Sequence, residues 1–326
     1  MKKIIYFLLI TSLFLSLTGS ALAQEKLQMI VGPVRQEIFL NPGENDQVEI
    51  RFYNQSERPI TGQLTAVDFI VTSSDGAPTL LDDPSQASPK FSGTSWISLP
   101  YDQITIAATN RVNVPVSIQV PNNAKPGGRY VAIYFQPNNN TPTSSGSGVA
   151  SRIAGLLYIR VNGEITENAL ITRFYSPSFF EYGPITVNTE ILNRGDYHIT
   201  PKAVIAMSNA FGTLTDQVSL RDENIFPDAT RIFTNEIGPK WLFGRYKLSL
   251  MGSYGTNGKS LEATTYVWVM PWRIIAIVIL GIILIYILIK KVILSSNEQV
   301  SELESRLSKE EEELEELKKL LRKKNE

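Results

Sequence analysis

The feature that most constrains this chain is an uncharged run near its C-terminal end. No charge lies between Arg273 and Lys290, and thirteen of the sixteen residues in between are Ile, Leu or Val. At about 1.5 Å per residue, a helix of this run spans roughly 24 Å, and a few flanking residues complete a hydrocarbon core of about 30 Å. A helix that is apolar on every side needs either lipid or a large core around it. We predict a transmembrane helix over residues 271–294.

The residues flanking this run predict how it is oriented. Trp272 and Arg273 stand at its N-terminal end, and Lys290 and Lys291 stand at its C-terminal end. The long stems of the three cationic side chains can reach the lipid headgroups, and Trp272 is an interfacial aromatic. By the positive-inside rule, the lysine pair places the C-terminus in the cytoplasm and the preceding chain outside the cell.

The N-terminus has the pattern of a secretory signal peptide. Lys2 and Lys3 precede an apolar run over residues 4–17, and Ala21-Leu22-Ala23 forms a small-x-small cleavage site before Gln24. An uncleaved anchor is the alternative. We expect residues 1–23 to be removed, which leaves a single-pass protein of the cell membrane with extracellular N-terminal domains.

Composition excludes several classes of function. The chain has no cysteine and one histidine, and its net charge is −1. Thiol chemistry and cysteine-based metal sites are therefore excluded. The chain also has no excess of basic residues that would indicate nucleic acid as a partner. An exported chain without disulfides has to be stable through its hydrophobic cores alone.

The extracellular part has the short, alternating apolar runs of β-strands. The clearest run is 112–120, in which every second residue is Val or Ile, although Pro115 indicates a sheet edge or a bulge. Residues 129–135 are apolar on both faces, as in a central strand. Residues 73–93 are a long insertion, and residues 136–148 are a low-complexity loop. This pattern predicts an immunoglobulin-like β-sandwich over residues 24–165.

A second set of seven strands predicts another immunoglobulin-like sandwich over residues 166–270. The two halves share two sequence features. In each half an alternating strand ends in Asn before a polar turn, at Asn54 and Asn193, and a later apolar strand opens with Gly-Arg-Tyr, at Gly128 and Gly244. We interpret the halves as two copies of one fold, the first with an inserted loop. Convergent turn chemistry is the alternative.

The pattern of the C-terminal residues 295–326 predicts a charged amphipathic helix. Its apolar residues fall on the a and d positions of a heptad repeat, with Glu310 at one d position. This helix seam comprises Val300, Leu303, Leu307, Leu314, Leu317 and Leu321. A short coiled coil and a solvated helix fit the pattern equally.

No catalytic or metal-binding constellation stands out, and we expect the chain not to be an enzyme and to use no cofactor. His198 lies in a predicted turn, where we interpret it as a hydrogen-bonded polar residue. The loop carboxylates Asp75, Asp82 and Asp83 lack the regular spacing of a calcium site.

Several motifs of the first half resemble those of WxL-interacting surface proteins. They are Trp96-Ile97-Ser98-Leu99-Pro100, Val114-Pro115-Val116 and the segment from Pro126 to Ile133. The order of signal peptide, two sandwiches, span and tail is also similar. The resemblance implies that the first domain binds peptidoglycan and the second binds a host or partner protein. The second domain has no binding motif of its own, and the tail is longer and more charged than a short basic anchor.

These features predict a membrane-anchored binding or adhesion protein of the bacterial cell surface. Its partner would be a cell-wall polymer or another surface protein. The alternative is a structural or scaffold component that self-associates, or docks on a partner, through its cytoplasmic helix. The sequence identifies no ligand-binding residue.

Overall fold

The computed structural model describes residues 29–138 and 152–324, which form two β-sandwiches followed by one long helix. The predicted signal peptide, and most of the low-complexity tract, lie outside the described residues. The predicted fold class, all-β with tandem immunoglobulin-like sandwiches, is confirmed for the residues that precede the long helix.

The described residues of the first sandwich form ten strands. They are β1 (Met29–Gly32), β2 (Arg35–Leu40), β3 (Asn45–Asn54), β4 (Ile60–Ile70), β5 (Thr79–Leu80), β6 (Ile97–Ser98), β7 (Gln103–Ile106), β8 (Arg111–Gln119), β9 (Gly127–Pro137) and β10 (Ile153–Val161). One sheet has the order β1-β3-β8-β6, and the other has the order β2-β10-β9-β4-β5, with β7 also paired to β4. All pairs are antiparallel except β2 with β10.

The alternation seen in the sequence builds the core of this sandwich. Val114, Val116 and Ile118 of β8 are fully buried, and the residues between them face outward or are half-buried. Each such side chain stabilises the fold by about 1.5–3 kcal/mol relative to its exposed state. β9 lies between β10 and β4 in its sheet, and it is buried along almost its whole length, as predicted for a central strand.

Two local expectations are refined by the structure. Pro115 pairs with Glu49 on one side, while β6 reaches only Ser117 and Ile118 on the other, so Pro115 lies beside an open edge. The motif from Trp96 to Leu99 is only partly a strand. Residues 94–96 form a 3₁₀ turn, and only Ile97 and Ser98 are strand.

The second sandwich contains eight strands. They are β11 (Ala169–Tyr175), β12 (Phe179–Phe180), β13 (Ile185–Asn193), β14 (Lys202–Ser208), β15 (Leu214–Ser219), β16 (Thr230–Ile237), β17 (Gly244–Tyr254) and β18 (Lys259–Val269). Their sheet orders are β11-β13-β16 and β12-β18-β17-β14-β15, with β12 parallel to β18. Leaving aside the short β5 and β6, each strand of the first sandwich has a counterpart at the same place in the second.

The two marked asparagines occupy the same place in the two sandwiches. Asn54 ends β3, which pairs with β8, and Asn193 ends β13, which pairs with β16. Both side chains are fully buried. In each case the side-chain oxygen accepts from the main-chain N–H two residues later, at 2.9 and 2.8 Å. Each side-chain nitrogen donates to the carbonyl oxygen four residues later, at 2.7 and 2.8 Å. This shared network supports the interpretation of two copies of one fold.

One helix, α1 (Trp272–Lys324), follows the second sandwich. It includes both the apolar run and the charged tail without a break. Its segment Trp272–Val292 is long and apolar enough to cross a membrane, with a mean hydropathy of 2.8 and none of that segment buried. Only Met270 and Pro271 separate this segment from the end of β18.

Candidate functional site

A groove opens at the edge of the first sandwich, between the middle of β4 and the segment 94–102. Its volume is about 540 Å³. Its apolar wall includes Leu64, Ile97 and Leu99. Its polar lining residues are Gln63, Thr65, Thr94, Ser98 and Asp102.

The groove exists because no strand among the described residues pairs with the middle of β4 on one side. There β7 pairs only with residues 60–63 and β5 only with residues 69–70. On this side the Leu64 N–H donates to the Asp102 carbonyl oxygen at 2.9 Å, and the Asp68 carbonyl oxygen accepts from the Leu81 N–H at 2.8 Å. Alternate residues of an antiparallel strand point to the same edge. The main-chain N–H and C=O of Ala66 therefore face the groove.

A buried carboxylate holds the wall of the groove in place. The side chain of Asp68 accepts hydrogen bonds from the main-chain N–H groups of Gly93 and Thr94, at 2.8 and 3.0 Å, and from the Ser92 hydroxyl at 2.6 Å. The Thr94 hydroxyl is buried and has no hydrogen-bond partner among the described residues. A buried polar atom of this kind is uncommon and is a place where a bound molecule can supply the partner.

The tryptophan of the Trp96–Pro100 motif has a structural role. The Arg129 guanidinium lies over the Trp96 ring, 5.1 Å from its centroid, and donates to the Gly128 carbonyl oxygen at 2.9 Å. Burial lowers the pKa of Arg129. This contact packs the motif against β9, so that the residues after Trp96 form the groove.

The groove presents groups that can form hydrogen bonds. A single carboxylate, several hydroxyls and an unpaired strand edge can hydrogen-bond a polymer that carries hydroxyl and amide groups. Among residues 29–138 and 152–324, no group of His, Asp or Glu is arranged to hold a metal ion. Asp82 instead pairs with Arg152 at 2.7 Å, Asp83 accepts from the Ser85 N–H at 2.9 Å, and Asp75 accepts from the Ala77 N–H at 3.0 Å.

An aromatic joint connects the two sandwiches. β4, β9 and β10 present Phe69, Tyr130 and Tyr158 on the face that points away from the core of the first sandwich. The second sandwich contributes His198 and Phe226. The ring centroids of Tyr130 and Phe226 are 5.0 Å apart, and those of Tyr158 and His198 are 5.2 Å apart. Aromatic pairs at such separations are worth about 0.5–1.5 kcal/mol beyond their buried area.

His198 is hydrogen-bonded and follows the bend at residues 195–197, as expected, and it also belongs to this joint. It is buried, with Nδ1 3.3 Å from the Tyr130 hydroxyl and Nε2 3.4 Å from Oε1 of Glu37. The Tyr197 hydroxyl donates to the same Glu37 oxygen. Burial lowers the pKa of His198 to about 4, although the Glu37 carboxylate acts in the opposite direction. The only signal of this role in the sequence was that residues 129–135 are apolar on both faces.

The predicted insertion 73–93 is a strap across the joint. The Ile232 N–H donates to the Ser74 carbonyl oxygen at 3.1 Å, and Arg231 donates to the Asp75 carbonyl oxygen at 2.9 Å. At the other end of the insertion, Lys90 pairs with Asp196 at 2.6 Å. The insertion thus binds the second sandwich through both of its ends.

The predicted anchor residues lie at the two ends of the apolar segment. Trp272 begins α1, and Arg273 pairs with Glu181 of the second sandwich at 3.4 Å. Lys290 and Lys291 are exposed on the helix near its other end. Within the seam, the described side chains are exposed, namely Leu303, Leu307, Leu314 and Leu317, whereas the side chains of Val300 and Leu321 lie outside the described residues.

Comparison with known proteins gives structural similarities only. No family model and no curated protein matches the sequence. Among solved structures, the chain is similar to the class 5 fimbriae chaperone CfaA, with 11% identity over 73% of this chain and 99% of the other, and a TM-score of 0.38. It is also similar to the Escherichia coli chaperone DraB, with 12% identity over 73% and 96% and a TM-score of 0.35. The Pseudomonas aeruginosa chaperone CupB2 has 11% identity over 72% and 98%, with a TM-score of 0.33. At such identities and TM-scores, no function, ligand or partner transfers to this chain.

Proposed function

We propose that this chain is a membrane-anchored binding protein of the bacterial cell surface, and that the edge groove of its first sandwich binds a cell-wall polymer. The observation that carries this proposal is the groove itself, because it combines an unpaired strand edge with polar side chains. It is formed in part by Ile97, Ser98 and Leu99. These residues belong to the motif that resembles the peptidoglycan-binding domain of WxL-interacting surface proteins.

The chemistry of peptidoglycan fits these groups. Its sugars carry hydroxyl and acetamido groups, which can hydrogen-bond to Ser98, Thr94 and Asp102. Its peptide stems have main-chain amides, which can pair with the free N–H and C=O of Ala66 as an added strand would. The apolar wall then covers the methyl groups and sugar faces. In this proposal the chain uses no cofactor and is not an enzyme.

Anchoring through α1 belongs to the same proposal. The segment Trp272–Val292 has the length and hydropathy of a span, and the Lys290-Lys291 pair favours a cytoplasmic tail. Protease added to wall-stripped cells should then digest the region before Pro271 and spare residues 300–326. A protected first sandwich would contradict this topology.

Polymer binding is tested by cosedimentation of the full-length, detergent-solubilised chain with purified sacculi. Ser98→Trp, which fills the groove, and Asp102→Ala, which removes its carboxylate, should each weaken binding at least tenfold. The matched control is Gln47→Trp. Gln47 and Ser98 both pair with Ser117, from opposite sides, so that they lie in one row of the same sheet, and both are exposed. Equal retention of all variants would contradict binding in the groove. If the chain binds surface proteins and is not retained on sacculi, its partner is a protein and not the polymer.

A scaffold role is the second candidate, and the exposed leucines of the tail favour it. Leu303, Leu307, Leu314 and Leu317 are each more than half exposed on a single chain. Four exposed leucines on one helix are typical of a surface that another helix covers. The crosslinking experiment in the Discussion tests this role separately from polymer binding.

A further inference from the structure

The second sandwich ends, next to α1, in a set of exposed aromatic side chains. Three of the four tryptophans of the chain, Trp241, Trp268 and Trp272, lie there, and they are 64%, 56% and 49% exposed. Phe243 is 69% exposed, and Phe211 is 94% exposed. Large aromatic side chains in water are unfavourable unless something covers them.

The strand register shows that these side chains share one end of the sandwich. Gly244 at the start of β17 pairs with Val269 at the end of β18, which immediately precedes the span. Ser208 at the end of β14 pairs with Lys247 near the same end of β17. The loops 209–213 and 238–243 therefore both lie beside the start of α1. The opposite end of the sandwich carries His198 and faces the first sandwich.

The link between the sandwich and the helix is too short to separate them. Only Met270 and Pro271 stand between β18 and α1, and a fully extended chain covers about 3.3–3.6 Å per residue. The end of β18 thus lies within roughly 10 Å of the first helical residue. Arg273 also pairs with Glu181, and the Met270 N–H donates to the Phe180 carbonyl oxygen at 3.0 Å. The polar layer on each side of a bilayer is about 5–8 Å thick, so the end of the sandwich meets that layer.

The loop 238–243 is held with its aromatic side chains outward. Leu242 is buried in the core of the sandwich, while its two neighbours Trp241 and Phe243 are exposed. The Trp241 ring packs edge-on against Tyr182, with centroids 5.6 Å apart. The Gly238 N–H donates to Asp216 at 2.8 Å. This loop is therefore built to present two rings, and no rearrangement is needed for them to enter the headgroup layer.

Cationic side chains accompany the aromatic ones. Lys240 lies over the Trp241 ring, 5.8 Å from its centroid, and Arg245 lies over Tyr266 at 4.3 Å. Aromatic rings with flanking cations match an interface of acyl chains and phosphate groups.

We propose that this end of the second sandwich is a membrane-surface site, in which the loops 209–213 and 238–243 insert Phe211, Trp241 and Phe243 among the lipid headgroups. The partner is the bilayer that α1 crosses, so this inference rests on the proposed membrane anchoring. Its consequence is that the sandwiches stand at a defined orientation on the membrane, because the loops and the helix hold the same end of the second sandwich.

The experiment uses the full-length chain in vesicles of phosphatidylcholine and phosphatidylglycerol. Because the chain has no cysteine, single cysteines can carry an environment-sensitive fluorophore. The label positions are Ala210, which is exposed beside Phe211, Asn257, which is exposed at the opposite end, and Leu284 in the middle of the span. Spin-labelled lipids with a shallow nitroxide should quench the Ala210 label at least threefold more than the Asn257 label. The double variant Phe211→Asp and Phe243→Asp should remove that difference.

The Leu284 label separates failure of this inference from failure of the anchoring. If deep spin-labelled lipids quench it while the Ala210 and Asn257 labels behave alike, the span stands and the membrane-surface site is overturned. If lipids do not quench the Leu284 label, both proposals fail. If the Ala210 label is quenched equally in wild type and in the double aspartate variant, the aromatic side chains do not insert, and the site is again overturned.

Discussion

The main-chain N–H of His198 donates a hydrogen bond to the hydroxyl of Tyr130, at 2.9 Å, across the joint between the two sandwiches. The rings of the two residues also contact each other, with centroids 6.0 Å apart. Tyr130 lies in β9 of the first sandwich, and His198 follows β13 of the second. One side chain therefore satisfies a buried main-chain donor of the other sandwich, which defines how the two sandwiches meet.

The Tyr130 hydroxyl should be needed for the stability of the joint. In Tyr130→Phe the buried N–H of His198 loses its partner, and an unsatisfied buried donor costs about 1–3 kcal/mol. We expect the midpoint of urea unfolding to fall accordingly. Tyr101→Phe, at a site that is 54% exposed, serves as the control and should leave the midpoint unchanged. Identical midpoints for the two variants would show that the joint does not depend on this bond.

Stability should fall in mild acid because of His198. Its pKa is lowered from 6.5 to about 4 in the folded chain, so between these values the unfolded chain binds more protons. The contribution of His198 to the free energy of unfolding is fully present above a pH of about 6.5. It is lost as the pH falls to about 4, and the loss is roughly 3 kcal/mol at most. Glu37 and the nearby Arg35 and Arg160 act in opposite directions on the same group.

The measurement compares urea unfolding of wild type and His198→Gln from pH 7 to pH 4. The variant should lose less stability over this range. The loss that remains in the variant comes from the carboxylates, which both proteins share. A wild-type curve parallel to that of the variant would mean that His198 has no depressed pKa.

Asn54→Ala and Asn193→Ala should be destabilising to a similar extent. Each replacement removes at least three hydrogen bonds to main-chain groups from a fully buried side chain, and we expect a loss of about 3 kcal/mol or more. Asn113→Ala, at an exposed position of β8, is the control. Thermal unfolding of the three variants measures the effect. A loss in only one of the two would contradict the equivalence of the networks.

The tail should associate through its leucine seam. Replacement of Leu307 and Leu314 by Lys places like charges at positions where apolar side chains would meet, so crosslinking in membranes should be abolished while export continues. Tethering at one membrane raises the effective concentration of the helices, so the assay uses the full-length chain. If wild type and double variant crosslink equally, or neither does, the seam is a solvated helix face.

Much of the architecture could be predicted from the sequence, because it depends on local patterns. The period-two alternation of β8 selects which residues face the core, and the run 129–135, predicted to be a central strand, lies in the buried β9. The two asparagines that end β3 and β13 were recognised as a repeated mark, although their hydrogen bonds were not.

The sites depend on contacts between residues that are distant in the chain. The groove arises where β5 and β7 leave β4 uncovered, and the joint arises where β9 meets residues about seventy positions later, as Tyr130 meets His198. Neither arrangement has a local pattern, because strand pairing is decided by the whole packed core.

The sequence by itself determined the strand alternation, the apolar segment of α1 and the absence of disulfides, since each follows from the chemistry of neighbouring residues. The tertiary structure alone decided that the insertion 73–93 straps the joint, that His198 is buried, and that the aromatic loops lie beside the start of α1. Backbone geometry sets the period with which side chains change faces, so it can be read along the chain. Which faces, edges and loops meet depends on long-range packing, which only the folded chain specifies.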